Sequence, residues 1–302
     1  MAEPTGAAQE DVAPRVEIEV DTQFSESDSA YGDELSSYTA SLTSSVLNFR
    51  NENGRSYHAY RDGTYLFPND EEEKDRLDLI PDSPGLLADM ITYLVVLGID
   101  LSPIQPSQVP PNLKFLIDDF EDEWIEDDKF DFIHARYLAG SVKDFPKLLR
   151  KAYEHTAPGG WVEFQDWDAA MYSHDGSIKG TSIEQFYREV VGSFTRAGYI
   201  VSPGPKLEGW FRDAGFVDVH VQKYQVPMGT WPKDKHLKRL GAWNYLSGES
   251  GFEATALAVL TRHEKWTKDE VSILVAKTKN DAINPNIHAV FDYYVVYGRK
   301  PE

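Results

Sequence analysis

Short runs of large apolar residues alternate with amphipathic segments over residues 94–165, and this alternation predicts an α/β fold. Four apolar runs are typical of buried strands, and the spacing of apolar residues before the last run favours a helix. A turn at Pro158-Gly159-Gly160 separates that helix from the last strand. Buried strands that alternate with helices indicate a mostly parallel sheet. The predicted strands cover residues 94–100, 112–119, 130–135 and 161–165, and the helix covers residues 145–155.

The second half of the chain continues with two helix-start signals and two further strands. Thr181 and Thr267 are each followed three residues later by a glutamate, a spacing typical of a capping box. Apolar residues recur at helical spacing behind each box. Strands are predicted over residues 216–224 and 288–297.

The N-terminal part of the chain has a different composition. Residues 1–32 contain many Ala, Glu, Asp, Ser and Pro residues and few large apolar ones, so we expect a disordered acidic tail. Apolar residues then recur at helical spacing from Leu35 to Phe49, and a turn signal follows at Asn53-Gly54. One folded domain is therefore expected over residues 33–302, with residues 33–80 as its N-terminal cap.

Composition and charge exclude several classes of function. The chain has 302 residues and a net charge of −20, and this charge argues against binding to nucleic acid or to anionic membranes. The longest apolar run, residues 90–97, is too short to span a bilayer. The chain has no Cys, which excludes disulfides and thiolate metal sites and fits the cytoplasm or the nucleus.

Motifs for metal-dependent or serine-dependent hydrolysis are also missing from the sequence. The eight His residues are scattered and show no His-x-x-x-His spacing, so no metal site is expected. No Gly-x-Ser-x-Gly elbow is present, and this argues against a Ser-His-Asp hydrolase.

Four stretches of sequence together carry a specific resemblance. They are residues 52–60 (ENGRSYHAY), 68–71 (PNDE) with 75–79 (DRLDL), 100–106 (DLSPIQP) with 109–112 (VPPN), and 130–136 (FDFIHAR) with 158–163 (PGGWVE). From about residue 35 onward the chain resembles the fungal LaeA-like, trans-aconitate-methyltransferase-like group of class I S-adenosylmethionine-dependent methyltransferases. The resemblance implies a Rossmann-like sheet with helices on both faces, with residues 170–215 and 228–285 on the substrate side. It also implies S-adenosyl-L-methionine as the cofactor.

The resemblance assigns the cofactor to residues that follow the predicted strands. Asp100, followed by Leu101, would hold the ribose hydroxyls with its two carboxylate oxygens. Asp119 would accept from the adenine amino group, with Phe120 against the ring. Each acid has a simpler alternative role. Asp100 can instead cap the turn at Ser102, and Asp119 can be a solvated side chain in the very acidic loop 118–128.

The same resemblance suggests catalytic and lid residues. His134 and Arg136 would lie at the end of a strand near the site of methyl transfer, as catalytic candidates. Tyr57, His58 and Tyr60 would cover the cofactor, and aromatic faces attract a sulfonium cation. Core packing is an equal alternative for these three aromatic residues.

One part of the family pattern is missing from this sequence. The family has a first strand that ends in an acid and a Gly-rich turn, yet only about twenty residues separate Leu79 from Asp100, without a Gly-x-Gly. A βαβ unit needs about thirty residues, so we expect the sheet to lack the first strand and first helix of the family. An altered loop at Ser83-Pro84-Gly85 is the alternative that would keep cofactor binding.

Two functions follow from these observations. The first is methyl transfer from S-adenosylmethionine to a small molecule or a protein, as in fungal secondary metabolism. The second is a catalytically inactive relative of such an enzyme that acts as a binding or regulatory module with a protein partner.

Overall fold

The arrangement of the chain was obtained as a computed structural model, which describes residues 15–21, 49–59, 63, 65–73, 95–102, 111–124 and 129–302. The strands are β1 (Arg50–Glu52), β2 (Arg55–Tyr57), β3 (Val96–Asp100), β4 (Leu113–Ile117), β5 (Phe130–Arg136), β6 (Thr156–Tyr172), β7 (Val217–Pro227) and β8 (Val290–Arg299). The helices are α1 (Phe145–His155), α2 (Ser182–Arg196), α3 (Gly204–Ala214), α4 (Lys235–His263) and α5 (Lys268–Ala282).

Four of the strands form a mixed sheet in the order β5-β6-β8-β7. β5 and β6 run parallel, whereas β8 runs antiparallel to both β6 and β7. β3 and β4 form a separate parallel pair, and β1 and β2 form a short antiparallel hairpin. This arrangement, with helices between the strands, confirms the α/β class expected from the sequence.

Strand order bears on the expected loss of the first strand. In nucleotide-binding α/β sheets the first strand lies between the second and the fourth. By the family resemblance β3 and β5 would correspond to the second and fourth strands, and no strand within the described ranges pairs with both. Residues 74–94 lie outside the described residues, so the loss of the first strand and first helix stays a prediction.

Helices cover both faces of the four-stranded sheet. Side chains of a strand alternate between its two faces, so Phe291 and Tyr294 of β8 point in opposite directions. Phe291 belongs to a core cluster built largely from α2, α4 and α5. Tyr294 belongs to a second cluster built from α1, α3, β6 and β8.

β6 is much longer than the strand predicted over residues 161–165. It begins at Thr156 and runs through Pro158-Gly159-Gly160, the segment predicted as a turn. Gly159 has a φ of +78° and donates its N–H to the Lys300 carbonyl, and Lys300 donates back to Gly160. The positive φ of Gly159 and the break in the β5 register between Thr156 and Trp161 make this segment an irregularity within β6. Its pairing with the chain beyond β8 is not visible in the local sequence.

The two predicted capping boxes differ in detail. Thr267 accepts from the Glu270 N–H and its own N–H bonds the Glu270 carboxylate, which completes the box at the start of α5. Thr181 accepts from the Glu184 N–H at the start of α2, but the Glu184 carboxylate accepts from Gly180 instead. Both helices begin where the sequence predicts.

Residues 15–21, from the segment expected to be disordered, pack against the β7 and β8 side of the sheet. Val20 forms a β-bridge with Pro232, and Ile18 is buried beside Trp231 and Val290. The rest of residues 1–32, and most of the helix predicted from Leu35 to Phe49, lie outside the described residues. The expectation of disorder does not hold for residues 15–21, because Ile18 and Val20 pack against residues more than 200 positions later in the chain.

Charged side chains fasten the same segment. Asp292 is almost completely buried, and its carboxylate pairs with Arg15 at 3.1 Å and with Lys223 at 2.9 Å. The Tyr172 hydroxyl donates to the same carboxylate at 3.0 Å, and the Arg15 guanidinium lies over the Tyr172 ring. A buried carboxylate requires such partners, because each ion pair and hydrogen bond offsets part of the cost of removing its charge from water.

Within the described residues, no helix combines the length and the apolar character needed to cross a membrane.

We expect Gly241→Ala to destabilise the fold by about 1–3 kcal/mol, the usual cost of overpacking. Gly241 of α4 accepts a hydrogen bond from the Gly229 N–H, and a Cβ at Gly241 would lie 2.0 Å from the Gly229 carbonyl oxygen. Backbone cannot rotate aside as a side chain can. Chemical denaturation followed by circular dichroism measures the change.

Gly209→Ala is the matched control, because Gly209 lies in α3 and a Cβ added there would meet no atom within 4 Å. Alanine there should be neutral or stabilising by up to about 1 kcal/mol. Equal stability of the two variants would contradict close packing between α4 and the loop at Gly229.

Candidate functional site

A cavity of about 520 Å³ opens at the end of β5, where its parallel pairing with β6 stops at Arg136 and Gln165. Its volume lies in the range of pockets that bind small organic molecules. The sheet supplies one wall, and helices α2 and α4 supply the opposite walls. The lining residues used below are Glu73, Arg136, Tyr137, Gln165, Trp167, Phe186, Phe194, Phe252, Phe291 and Tyr293.

Asp166 fixes the loop that forms the floor of the cavity. Its carboxylate accepts from the Leu138 N–H at 2.8 Å and from the Trp167 N–H at 2.9 Å, and the Ala139 N–H also contributes. Tyr137 adopts a φ of +56°, a left-handed conformation that non-glycine residues rarely take. The three bonds beside it stabilise this turn of the chain directly after β5.

Burial of Asp166 has an electrostatic cost. The side chain is almost completely buried, and desolvation raises the pKa of Asp166 to about 7, although the N–H donors act in the opposite direction. Sequence analysis missed this residue. The signal was present, since an acid directly follows the apolar strand predicted over residues 161–165.

A chain of hydrogen bonds leads from the cavity to His134. The Tyr293 hydroxyl donates to the side-chain oxygen Oε1 of Gln165 at 3.1 Å. The side-chain nitrogen Nε2 of Gln165 donates to the Glu163 carboxylate at 2.8 Å. His134 Nδ1 lies 3.0 Å from the same Glu163 oxygen. The bond from His134 lowers the pKa of Glu163, so Glu163 is an ionised acceptor and Gln165 must turn its amide nitrogen towards it.

The two catalytic candidates therefore take different places. Arg136 lines the cavity, with its guanidinium 5.7 Å from the centre of the Tyr137 ring. His134 is not among the lining residues and reaches the cavity only through Glu163 and Gln165. The difference follows from the chain direction, because Arg136 is the last residue of β5 and His134 lies two residues earlier.

Asp100 and Leu101 lie at the end of β3. One Asp100 carboxylate oxygen accepts from the Ser102 N–H at 2.9 Å, as the plain alternative predicted. The Asp100 carbonyl accepts from Asp118 at the end of the neighbouring β4, so both strand ends share one edge. Asn69 fixes the same turn by donating to the Ser102 hydroxyl at 3.1 Å.

Asp119 and Phe120 follow β4 directly. The Asp119 carboxylate accepts from the Glu121 N–H at 2.9 Å, which stabilises its own loop. Phe120 packs against the second core cluster, and its carbonyl accepts from the Trp124 indole. Leu101 is half-buried.

These strand ends suit the adenosine part of the expected cofactor. Each of the two carboxylates Asp100 and Asp119 has one oxygen engaged by a loop N–H, so the acids are oriented before any ligand arrives. Carboxylates are acceptors only, and ribose hydroxyls and an adenine amino group are donors. The chemistry of the residues present therefore fits the group that the family resemblance implies.

Tyr57 and His58 are buried in the structure. Tyr57 has an exposed fraction of only 2% and belongs to the first core cluster, with the Arg262 guanidinium 4.5 Å from its ring centre. Burial raises the pKa of Tyr57 to about 12. His58 packs edge-on against Tyr65, which does line the cavity, whereas Tyr60 lies outside the described residues.

The hairpin that carries Tyr57 is attached to the helices by charge pairs. Arg262 of α4 donates to the Glu52 carboxylate at 2.8 Å, and Arg55 forms a bidentate pair with Asp70 at 2.6 and 2.7 Å. The pairing with Arg55 lowers the pKa of Asp70 against the effect of burial. The described part of residues 49–73 therefore contributes Tyr65, Phe67 and Glu73 to the wall of the cavity.

No group of three or more His, Asp or Glu side chains is placed to hold a metal ion in the part of the chain that the structure describes.

Replacing the buried acid gives a pH-dependent prediction. In Asp166 the folded-state pKa is raised, so the folded form binds more protons than the unfolded form between about pH 4 and pH 7. The free energy of unfolding of the unmodified chain should therefore fall relative to that of Asp166→Asn as pH rises through this window. Urea denaturation at pH 5, 6, 7 and 8 measures the difference.

Asp168→Asn serves as the control, since Asp168 lies two residues away on the same strand and accepts from the Ala170 N–H. Its profile should follow that of the unmodified chain. If Asp166→Asn also runs parallel to the unmodified chain, Asp166 is ionised at an ordinary pKa and the proposed cost of its burial is wrong.

Comparisons with known proteins agree with the geometry. The sequence profile of a methyltransferase domain matches residues 53–221. The methyltransferase pytC of Aspergillus terreus is 35% identical over 95% of this chain and 96% of its own length. The protein-methionine methyltransferase laeA of Emericella nidulans is 30% identical over 84% of this chain and 77% of its own length.

A solved structure also resembles the chain. Phosphoethanolamine N-methyltransferase 2 of Haemonchus contortus, crystallised with S-adenosyl-L-methionine, aligns at a TM-score of 0.42 and 17% identity. The alignment covers 71% of this chain and 46% of that protein. On the matched profile and the two sequence relatives, the chain belongs to the class I S-adenosylmethionine-dependent methyltransferases that include the fungal LaeA regulators of secondary metabolism.

Proposed function

We propose that this chain transfers a methyl group from S-adenosylmethionine to an acceptor bound in the aromatic cavity. The observation that carries the proposal is the place of the cavity, at the carboxyl end of β5, where its parallel pairing with β6 ends. Ligands of open α/β sheets bind at this edge. Asp100 and Asp119, at the ends of β3 and β4, are the carboxylates that would accept hydrogen bonds from the adenosine part of the cofactor.

The cofactor would be held by residues of two strand ends. Asp100, with Leu101 beside it, accepts from the ribose, and Asp119 with Phe120 receives the adenine. S-adenosylmethionine would supply there a methyl group on a sulfonium sulfur: the acceptor's lone pair would bond the methyl carbon as the carbon–sulfur bond breaks, with S-adenosylhomocysteine as the leaving group. Orientation of the acceptor contributes much of the rate in such a reaction, so few acid–base residues are needed.

Arg136 and Glu73 are the charged groups that the cavity offers to an acceptor. Arg136 stabilises the negative charge of an acceptor hydroxyl that has given up its proton before the methyl group is transferred. The carboxylate of Glu73, a buried residue of the wall, takes up the proton that the acceptor loses. His134 is a positioning residue in this scheme, because it acts on the cavity through Glu163 and Gln165.

The class of acceptor and the setting are part of the proposal. The acceptor is a small molecule or a protein side chain, and the relatives favour a role in fungal secondary metabolism. The net charge of −20 argues against nucleic acid or an anionic membrane as a partner. A cytoplasmic or nuclear location fits the absence of Cys. A protein partner is a further part of the proposal.

We expect Asp100→Asn to weaken binding of S-adenosylhomocysteine by about 10- to 100-fold, the effect of losing one charged hydrogen-bond acceptor. Asparagine keeps an oxygen that accepts from the Ser102 N–H, so the turn should survive. Isothermal titration calorimetry with the full chain measures the affinity.

Asp213→Asn is the matched control, because Asp213 is an exposed acid of α3 and its loss changes the net charge equally. Its affinity should equal that of the unmodified chain. Unchanged affinity in Asp100→Asn would refute the ribose contact. No binding by the unmodified chain at millimolar ligand would instead support the inactive binding module.

A further inference from the structure

We propose that the acceptor is a planar, largely apolar small molecule with one hydroxyl group, bound between the aromatic walls with that hydroxyl hydrogen-bonded to Tyr293. The inference rests on the proposed function and names the substrate class of the same cavity. Three independent features of the cavity support it: its ring-lined walls, the fixed direction of one polar group and the scarcity of charge.

The walls consist of rings that are already packed on one another. Trp167 and Tyr293 meet edge to face with ring centres 4.7 Å apart, and Tyr137 lies about 6 Å from both. On the opposite side Phe186 contacts Phe252 at 5.2 Å. Since these side chains hold each other in place, the cavity needs no reordering to accept a flat ring, and ring faces attract flat apolar ligands.

The polar group of the sheet wall has a defined direction. The Glu163 carboxylate receives the Gln165 amide nitrogen, so the Gln165 oxygen faces Tyr293 and the Tyr293 hydroxyl must donate to it. Burial raises the pKa of Tyr293, which keeps this hydroxyl protonated. The Tyr293 hydroxyl is also hydrogen-bonded to the side chain of Tyr137, which lines the same cavity. A phenol oxygen accepts as well as donates, so with its proton directed at Gln165 the Tyr293 oxygen accepts beside Tyr137, and a hydroxyl of the ligand is the matching donor.

Charge is scarce on the walls. Among the described lining residues, Arg136 and Glu73 are the charged side chains, and they carry opposite signs. A ligand with several ionised groups would lose its hydration without gaining enough partners. The cavity therefore favours an uncharged molecule whose single hydroxyl is the polar anchor.

The test compares ligands that differ in one feature, with the full chain and without S-adenosylhomocysteine. Isothermal titration calorimetry is run with 2-naphthol, with 2-methoxynaphthalene, which lacks the donor hydrogen, and with 2-naphthalenesulfonate, which is charged. We expect 2-naphthol to bind about five- to tenfold more tightly than 2-methoxynaphthalene, the effect of one hydrogen bond. The sulfonate should bind more weakly than 2-naphthol.

Tyr293→Phe should abolish the preference for 2-naphthol over 2-methoxynaphthalene while both still bind. Tyr297→Phe is the matched control, because Tyr297 lies on the same strand β8 but packs against Trp161 and His220 outside the cavity. The control should keep the preference. A preference that survives in Tyr293→Phe would overturn the role of Tyr293.

A different acceptor class would show in two further titrations of the full chain by the same method, one with a methionine peptide and one with S-adenosylhomocysteine. If N-acetyl-Gly-Met-Gly-amide binds more tightly than 2-naphthol, the acceptor is a methionine side chain and the proposal is wrong. Binding of S-adenosylhomocysteine together with no binding of either naphthalene would refute the aromatic acceptor and leave methyl transfer intact. Failure of S-adenosylhomocysteine to bind, with 2-naphthol still held through Tyr293, would refute methyl transfer and with it the role of the aromatic ligand as a methyl acceptor.

Discussion

The site depends on the alternation of side chains along one strand, β6. β6 pairs in parallel with β5 and antiparallel with β8, so its side chains are fixed from both edges. Glu163, Gln165 and Trp167 point to one face, where they form the hydrogen-bonded wall of the cavity. Phe164 and Asp166 point to the other face, and Asp166 holds the Leu138 loop from behind. A shift of one residue in register would exchange these two sets and remove the site.

The sequence predicts the cofactor side of the site better than the acceptor side. Asp100, Asp119 and Arg136 each lie at or just after the end of a short apolar strand, and local pattern predicts such a position. Their roles come from the family resemblance. The wall of the cavity depends on contacts between distant residues. Tyr293 and Gln165 are 128 positions apart, and no local signal connects them. Asp166 differs from these two, because its place directly after a predicted strand could be read from the sequence, whereas its bonds to the Leu138 and Ala139 N–H groups could not.

This difference explains how one family serves different acceptors. The proposed adenosine side consists of two adjacent strand ends and their loops, which a member with the same strand pattern would also form. The acceptor side is built from α2, α4 and β8, whose side chains can change without disturbing the parallel strands. We therefore expect relatives to have acids at the positions of Asp100 and Asp119 and to differ in the aromatic side chains that line the cavity.

The place of β8 in the sheet has a consequence for biosynthesis. β8 lies between β6 and β7, although it follows both in the chain. Until the ribosome has produced β8, β6 and β7 each present an unpaired strand edge, and such edges promote association with other chains. The buried contact of Arg15 with Asp292 waits for the same strand, 277 residues later. Completion of the sheet is therefore a late event in synthesis, and newly made chains would depend on chaperones during that interval.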